Sequence, residues 1–180
     1  MQITVLVTYA TRYGSTEEVA QTVAESLRET AATVDVLPVR HVRSPEQYDA
    51  IVLGAPLYMG HLHKDALRFL NQHRRALTKV PVALFFLGPV RNDEKDWSSA
   101  RSQLAHEMAR FPWLEPVARQ IFGGKLDPAR FGFPLRLIPP LRKMKPADIR
   151  DWSAIHSWAT GLAPALQPCT SNFPNVQHIR

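Results

Sequence analysis

The sequence predicts an α/β domain: a doubly wound parallel sheet of five strands, order 2-1-3-4-5, with helices on both faces. Three observations carry this expectation. Strand-length apolar runs alternate with amphipathic helical segments along most of the chain. The runs at 3–7 and 81–87 are almost continuously apolar, the pattern of strands covered on both faces. Loops carrying glycine, hydroxyl or aromatic residues follow the first, third and fourth strands, and open α/β sheets bind ligands beyond those carboxyl ends.

Ile3, Val5 and Val7, with Leu6 between them, make the first strand. Val19, Ala20, Val23, Ala24 and Leu27 then recur at helical spacing. Ser15 followed by Glu18 reads as a capping box that starts this helix. Residues 34–39 supply the second strand and 48–54 the third. Leu62, Ala66, Phe69, Leu70, His73 and Leu77 trace a second helix. Residues 81–87 form the fourth strand, apolar enough to be interior. Trp97, Leu104, Met108 and Phe111 mark a third helix, ended by Pro112. Residues 117–122 give the fifth strand, and Trp152, Ile155, Trp158, Ala159 and Leu162 a last helix. Right-handed crossovers connect such parallel strands. No repeat or inter-domain linker interrupts the order, so one domain is expected over 1–163, with 164–180 a mobile tail.

Composition fits one soluble domain, because 180 residues at 45% hydrophobic can bury a sizeable core. No run approaches the roughly 20 apolar residues that span a bilayer. The N-terminus lacks a basic-then-apolar leader, and Cys169 is the single cysteine. Cytoplasm is the expected location. His41, His73, His106, His156 and His178 are scattered, so no metal site is expected.

The loop Thr11-Arg12-Tyr13-Gly14-Ser15-Thr16, between the first strand and first helix, has the chemistry of a phosphate socket. A helix N-terminus offers free N–H groups and the positive end of a dipole. Thr11, Ser15 and Thr16 add hydroxyl donors, and Gly14 lets the backbone approach closely. The loop contains neither G-x-G-x-x-G nor G-x-x-x-x-G-K-[ST], which argues against a Rossmann dinucleotide site and a P-loop triphosphatase. A plain strand-to-helix turn with a hydroxyl cap is the competing reading.

The sheet order names two further loops. After the third strand come Pro56, Leu57, Tyr58, Met59, Gly60 and His61. Tyr58 could stack on a flat ring or simply pack, and Gly60 leaves backbone exposed to a ring edge. His61 is a weak acid–base candidate, with His63 beside it. After the fourth strand, Gly88 and Pro89 open another backbone-rich turn. Three loops at one sheet edge suit one flat, phosphorylated ligand.

The T-x-x-G-[SN]-T loop after the first strand resembles the flavodoxin family, whose fold is this flavodoxin-like sheet. Residues 48–55, Tyr58-Met59-Gly60-His61 and Asp148-Ile149-Arg150-Asp151-Trp152 are similar, more narrowly, to the flavodoxin-like menaquinone-dependent protoporphyrinogen dehydrogenases. They also resemble a broad bacterial group of flavodoxin-domain proteins. The resemblance covers residues 1 to about 163. It implies FMN as cofactor, with Thr11 to Thr16 on its phosphate and Pro56 to Gly60 along its ring. It further implies electron flow from a porphyrinogen to a membrane quinone. Arg12-Tyr13 departs from the small residues usual in that loop, and Arg12 either adds charge to the site or is solvated.

Charge is concentrated in one place. The chain has 22 basic and 16 acidic residues, and seven of the basic ones lie between Arg119 and Lys145 against Asp127 alone. The rest of the chain therefore balances, whereas carrier flavodoxins as a family are acidic. Residues 125–146 read as a long insertion with five prolines among Phe, Leu, Ile and Met residues. Arg130, Arg136, Arg142, Lys143 and Lys145 there are candidates for contact with an anionic membrane or a carboxylate-bearing oily substrate such as a porphyrinogen. A lid with solvated charges is the alternative. Nucleic acid is not expected, since no reading module is present. Three functions stay open: an FMN-dependent dehydrogenase linked to a quinone at the inner face of the membrane, a one-electron carrier, and a fold-only binding partner.

Overall fold

The structure, a computed structural model, describes residues 3–30, 32–58, 60–130, 132 and 145–167. Its main sheet contains strands β1 (Thr4–Tyr9), β2 (Thr33–Pro38), β3 (Ala50–Tyr58), β5 (Val82–Leu87) and β6 (Ala118–Phe122). They pair in parallel in the order β2-β1-β3-β5-β6. This is the expected 2-1-3-4-5 order, with one addition. A two-residue strand β4 (His61–Leu62) folds back antiparallel on β3, pairing Leu57 with Leu62 and Tyr58 with His61. A separate two-stranded ladder joins β7 (Lys125–Leu126) to β8 (Ala147–Asp148).

Alternation along the central strands divides the core into two layers. Val5, Val7 and Tyr9 face helices α1 (Ser15–Arg28) and α5 (Trp152–Gly161), meeting Val19, Val23, Leu27 and Ile155. Leu6, Ile51 and Leu53 face α2 (Lys64–Gln72), α3 (Arg74–Leu77) and α4 (Glu94–Met108), meeting Phe69, Leu70, Leu77 and Leu104. Every residue of β5 is buried, as its apolar run implies. Gly54 is fixed by packing, because a Cβ there would stand 2.1 Å from Phe85 Cζ.

Four expectations change. The third strand does not stop at Gly54 but runs to Tyr58, because Leu57 and Tyr58 find partners in β4. The stripe from Leu62 to Leu77 is two helices meeting at His73, whose φ of −106° and ψ of 20° leave the helical region. Leu62 itself belongs to β4. Leu166, beyond the boundary expected at 163, is fully buried beside α5's layer, so packing extends past that boundary. Among the described residues, no helix is long and apolar enough to cross a membrane.

Candidate functional site

The carboxyl ends of β1, β3 and β5 open onto one cleft of about 700 Å³. That lies within the range of about 300–1,000 Å³ usual for small-molecule sites. All three loops named by the sheet order reach it: Thr11, Ser15 and Thr16 from the first, Pro56 and Tyr58 from the second, Gly88 from the third.

The first loop is shaped from within. Gly14 occupies the left-handed region at φ 89°, and its N–H donates to Thr11 Oγ1 at 2.9 Å. Gly14 is the N-cap of α1 and no side chain caps the helix, so the expected Ser15–Glu18 capping box does not form. Glu18 instead faces two cations described below. Thr16 is completely buried, yet its Oγ1 has no hydrogen-bond partner. A buried hydroxyl left in that condition costs about 1–3 kcal/mol. It lines the cleft at the first turn of a 14-residue helix, where an anion would satisfy it.

Two tyrosines form the next wall. The rings of Tyr13 and Tyr58 lie 6.3 Å apart and tilted by 57°. The Arg12 guanidinium sits 5.4 Å and 5.3 Å from their centroids, so a cation–π arrangement accounts for the residue that departs from the usual small loop side chains. Burial, reinforced by a hydrogen bond with Tyr58, pushes the Tyr13 phenol up from its usual 10.0. On the same loop's flank, burial and a hydrogen bond from its hydroxyl to Glu17 (2.8 Å) raise Tyr9 to about 12. Gly60 turns β3 into β4 at φ 86°.

The two histidines separate in role. His61 is exposed, and its Nδ1 lies 3.2 Å from Oε1 of the buried Glu107, pinning the β3–β4 hairpin to α4. His63 is mostly buried at the N-cap of α2, where Nδ1 accepts from the Asp65 N–H at 3.3 Å. Burial holds its pKa below 6.5 despite Asp65 nearby.

At the third loop, Gly88 lines the cleft while Pro89 is buried behind it, its carbonyl accepting from Gly124 N–H at 2.6 Å. Gly124 must be small here, because a Cβ would stand 2.7 Å from the Gly88 carbonyl. The β7–β8 ladder therefore sits directly on the cleft, and its charges grip the first loop. Arg150, whose side chain is only 3% exposed, donates to both Asp148 oxygens (2.8 and 2.6 Å) and to Glu18 Oε2 (2.7 Å). Lys125 adds a 3.6 Å contact to Glu18. Burial works against ionisation of Glu18, but Arg150 and Lys125 hold its carboxyl below the usual 4.5. The Arg150 hydrogen bond keeps Asp148 below 3.8. Arg130, the insertion residue expected at a membrane or substrate, donates to the Tyr13 carbonyl at 2.7 Å.

Sequence reasoning missed Arg150 as a site-building residue, although the run at 148–152 had pointed to the segment. It also missed Arg40, Lys64 and Asp127, which line the cleft. Their signal was weak, since surface charges are common anywhere. Met59, Arg136, Arg142 and Lys143 lie outside the described residues. Lys145 is exposed just before β8.

A model of the flavodoxin domain matches residues 6–145. The protoporphyrinogen IX dehydrogenase (quinone) of Escherichia coli K12 is 27% identical over 169 residues, covering 88% of this chain and 93% of that protein. The protein of the same name from Leishmania major is 26% identical, covering 88% and 74%. An NAD(P)H dehydrogenase (quinone) of Acidovorax ebreus is 37% identical over 90 residues, only 38% of this chain and 45% of that protein. Among solved structures, a short-chain flavodoxin associated with a PDU bacterial microcompartment superposes with a TM-score of 0.59 at 18% identity, covering 92% and 100%. A flavodoxin from the domain Archaea gives 0.56 at 15%, covering 91% and 99%. The unpartnered Thr16 hydroxyl, the helix N-terminus beside it and the cleft between three loops fit the phosphate and ring of FMN. The chain belongs to the flavodoxin-domain family, and its cofactor is FMN.

Proposed function

We propose that this protein is an FMN-dependent oxidoreductase that dehydrogenates a porphyrinogen and delivers the electrons to a quinone. One observation carries the reading: the basic, apolar insertion is rooted on the cofactor cleft through β7–β8 and the Arg130–Tyr13 bond. An oily macrocycle bearing carboxylates could meet the ring end of the cleft and the insertion's cations together. The names of the relatives, matched over 93% and 74% of their own length, support the same chemistry.

The cofactor would supply the redox chemistry, and the chain's residues would place it. Thr11, Arg12, Ser15 and Thr16, with the backbone of Tyr13 and Gly14, would hold the phosphate. Pro56, Leu57, Tyr58 and Gly60 would line the ring on one side, and Gly88 with Val90 on the other. The raised Tyr13 phenol keeps its proton at neutral pH, so it serves as a donor and not a base. His63 is the neutral imidazole near neutral pH, and because its Nδ1 accepts from Asp65 N–H, its proton sits on Nε2. His61 turns Nδ1–H toward Glu107, which makes it a positioning residue for the hairpin.

The test begins with an absorption spectrum after desalting, where flavin bands should remain with the protein. Protoporphyrinogen is then oxidised anaerobically with a menaquinone as sole acceptor, read by porphyrin fluorescence. Quinone-dependent turnover is expected. A flavin-bound protein that turns over neither substrate would be an electron carrier, and one that never takes up FMN would overturn the site.

A further inference from the structure

We propose that Arg130, a residue of the insertion, is a phosphate-recognition residue of the cofactor site, making the insertion's root part of the FMN socket. The inference deepens the FMN reading of the cleft and is independent of the porphyrinogen reading.

The geometry points to this role. Arg130 Nη1 donates to the Tyr13 carbonyl and lies 3.2 Å from where a Cβ on Gly14 would stand, directly at the cap of α1. A guanidinium has five N–H donors in a rigid fork. Tyr13 takes one, and Asp127 Oδ2 lies 3.5 Å from Nε, which leaves the remaining donors available at the socket. A cation is poorly placed at the positive end of a helix dipole. Here Arg130 stands there with Arg12 on the same loop. An anion in the socket removes that conflict, and the buried, unpartnered Thr16 hydroxyl independently marks where it sits. Lys125 and Arg150 both lie against Glu18, and Arg150 also grips Asp148, whereas Asp127 meets Arg130 at Nε. Arg130, which lines the cleft, can therefore offer its further Nη donors to the ligand's phosphate, and it does so from a segment with no counterpart in a plain strand-to-helix turn.

The experiment compares FMN with riboflavin, which differs only by the phosphate. Each is titrated against wild type, Arg130→Gln and Arg130→Lys, with flavin fluorescence quenching as the readout. The expected result for Arg130→Gln is about tenfold weaker FMN binding with riboflavin binding unchanged, tenfold being about 1.4 kcal/mol. Arg130→Lys should fall between, because it keeps the charge and loses the fork. Wild-type selectivity for FMN should also weaken with salt more steeply than that of Arg130→Gln. Equal FMN affinity in all three proteins would overturn the proposal. So would an equal loss for both flavins, since that would mean Arg130 only shapes the loop. A wild type that binds neither flavin would overturn the cofactor reading along with it.

Discussion

Thr16 carries the phosphate proposal at the level of a single side chain. Its hydroxyl is sealed from solvent and bonds to nothing in the protein. Thr16→Val keeps the shape and removes the orphaned group. Without cofactor, that variant should be as stable as wild type or up to about 1 kcal/mol more stable, because an unsatisfied buried hydroxyl is lost. Its FMN affinity should fall roughly tenfold, the equivalent of one good hydrogen bond to a charged group. Thermal melts of the cofactor-free protein and FMN titrations would read the two opposite effects. Thr16 was legible as a donor from its place in the loop, but its isolation was not, since that depends on what packs around it.

At the level of elements, the first turn of α1 is tied to the β7–β8 ladder by Glu18, Arg150, Asp148 and Lys125. Ser15 and Glu18 have capping-box spacing, yet tertiary charge outcompeted the local cap. A buried guanidinium draws Glu18 away more strongly than one backbone N–H could hold it. Arg150→Met should cost about 2–3 kcal/mol at pH 7, below the ~3–5 kcal/mol of fully buried pairs because both carboxylates keep about 40% exposure. Both carboxyls titrate below their ordinary values of 4.5 and 3.8 in the folded protein. The cluster's contribution is therefore complete above about pH 4.5 and lost as pH falls below those values. Urea denaturation of wild type and variant should show a gap that narrows as the pH is lowered below about 4.5. A gap independent of pH would mean that Arg150 acts through packing on Trp152, 4.5 Å from its guanidinium.

Across the whole molecule, the described root of the basic stretch and the cofactor cleft meet, since Lys125 and Arg130 both line the cleft. The insertion is bounded by β7 and β8, which pair with each other, and β7 lines the cofactor cleft. Deleting residues 131–144 keeps Lys125, Arg130 and Arg150 in place. The deletion should retain FMN while losing most binding to liposomes rich in anionic lipid, measured by co-sedimentation at low and physiological salt. Unchanged liposome binding would remove the membrane from the proposed electron path.

The sequence by itself determined the fold class, the strand order and the three loops of the cleft. Those follow from hydrophobic period, from the handedness of crossovers and from turn residues, which act over a few positions. Tertiary structure decided the rest. Tyr58 became a strand residue because Leu57 and Leu62 pair across a turn, and Arg130 became a neighbour of Gly14 although 116 positions separate them in the chain. The grip of Arg150 on Glu18 likewise spans 132 positions. Contacts of that separation leave no periodic trace in the chain, because they depend on where two distant segments are brought by the sheet.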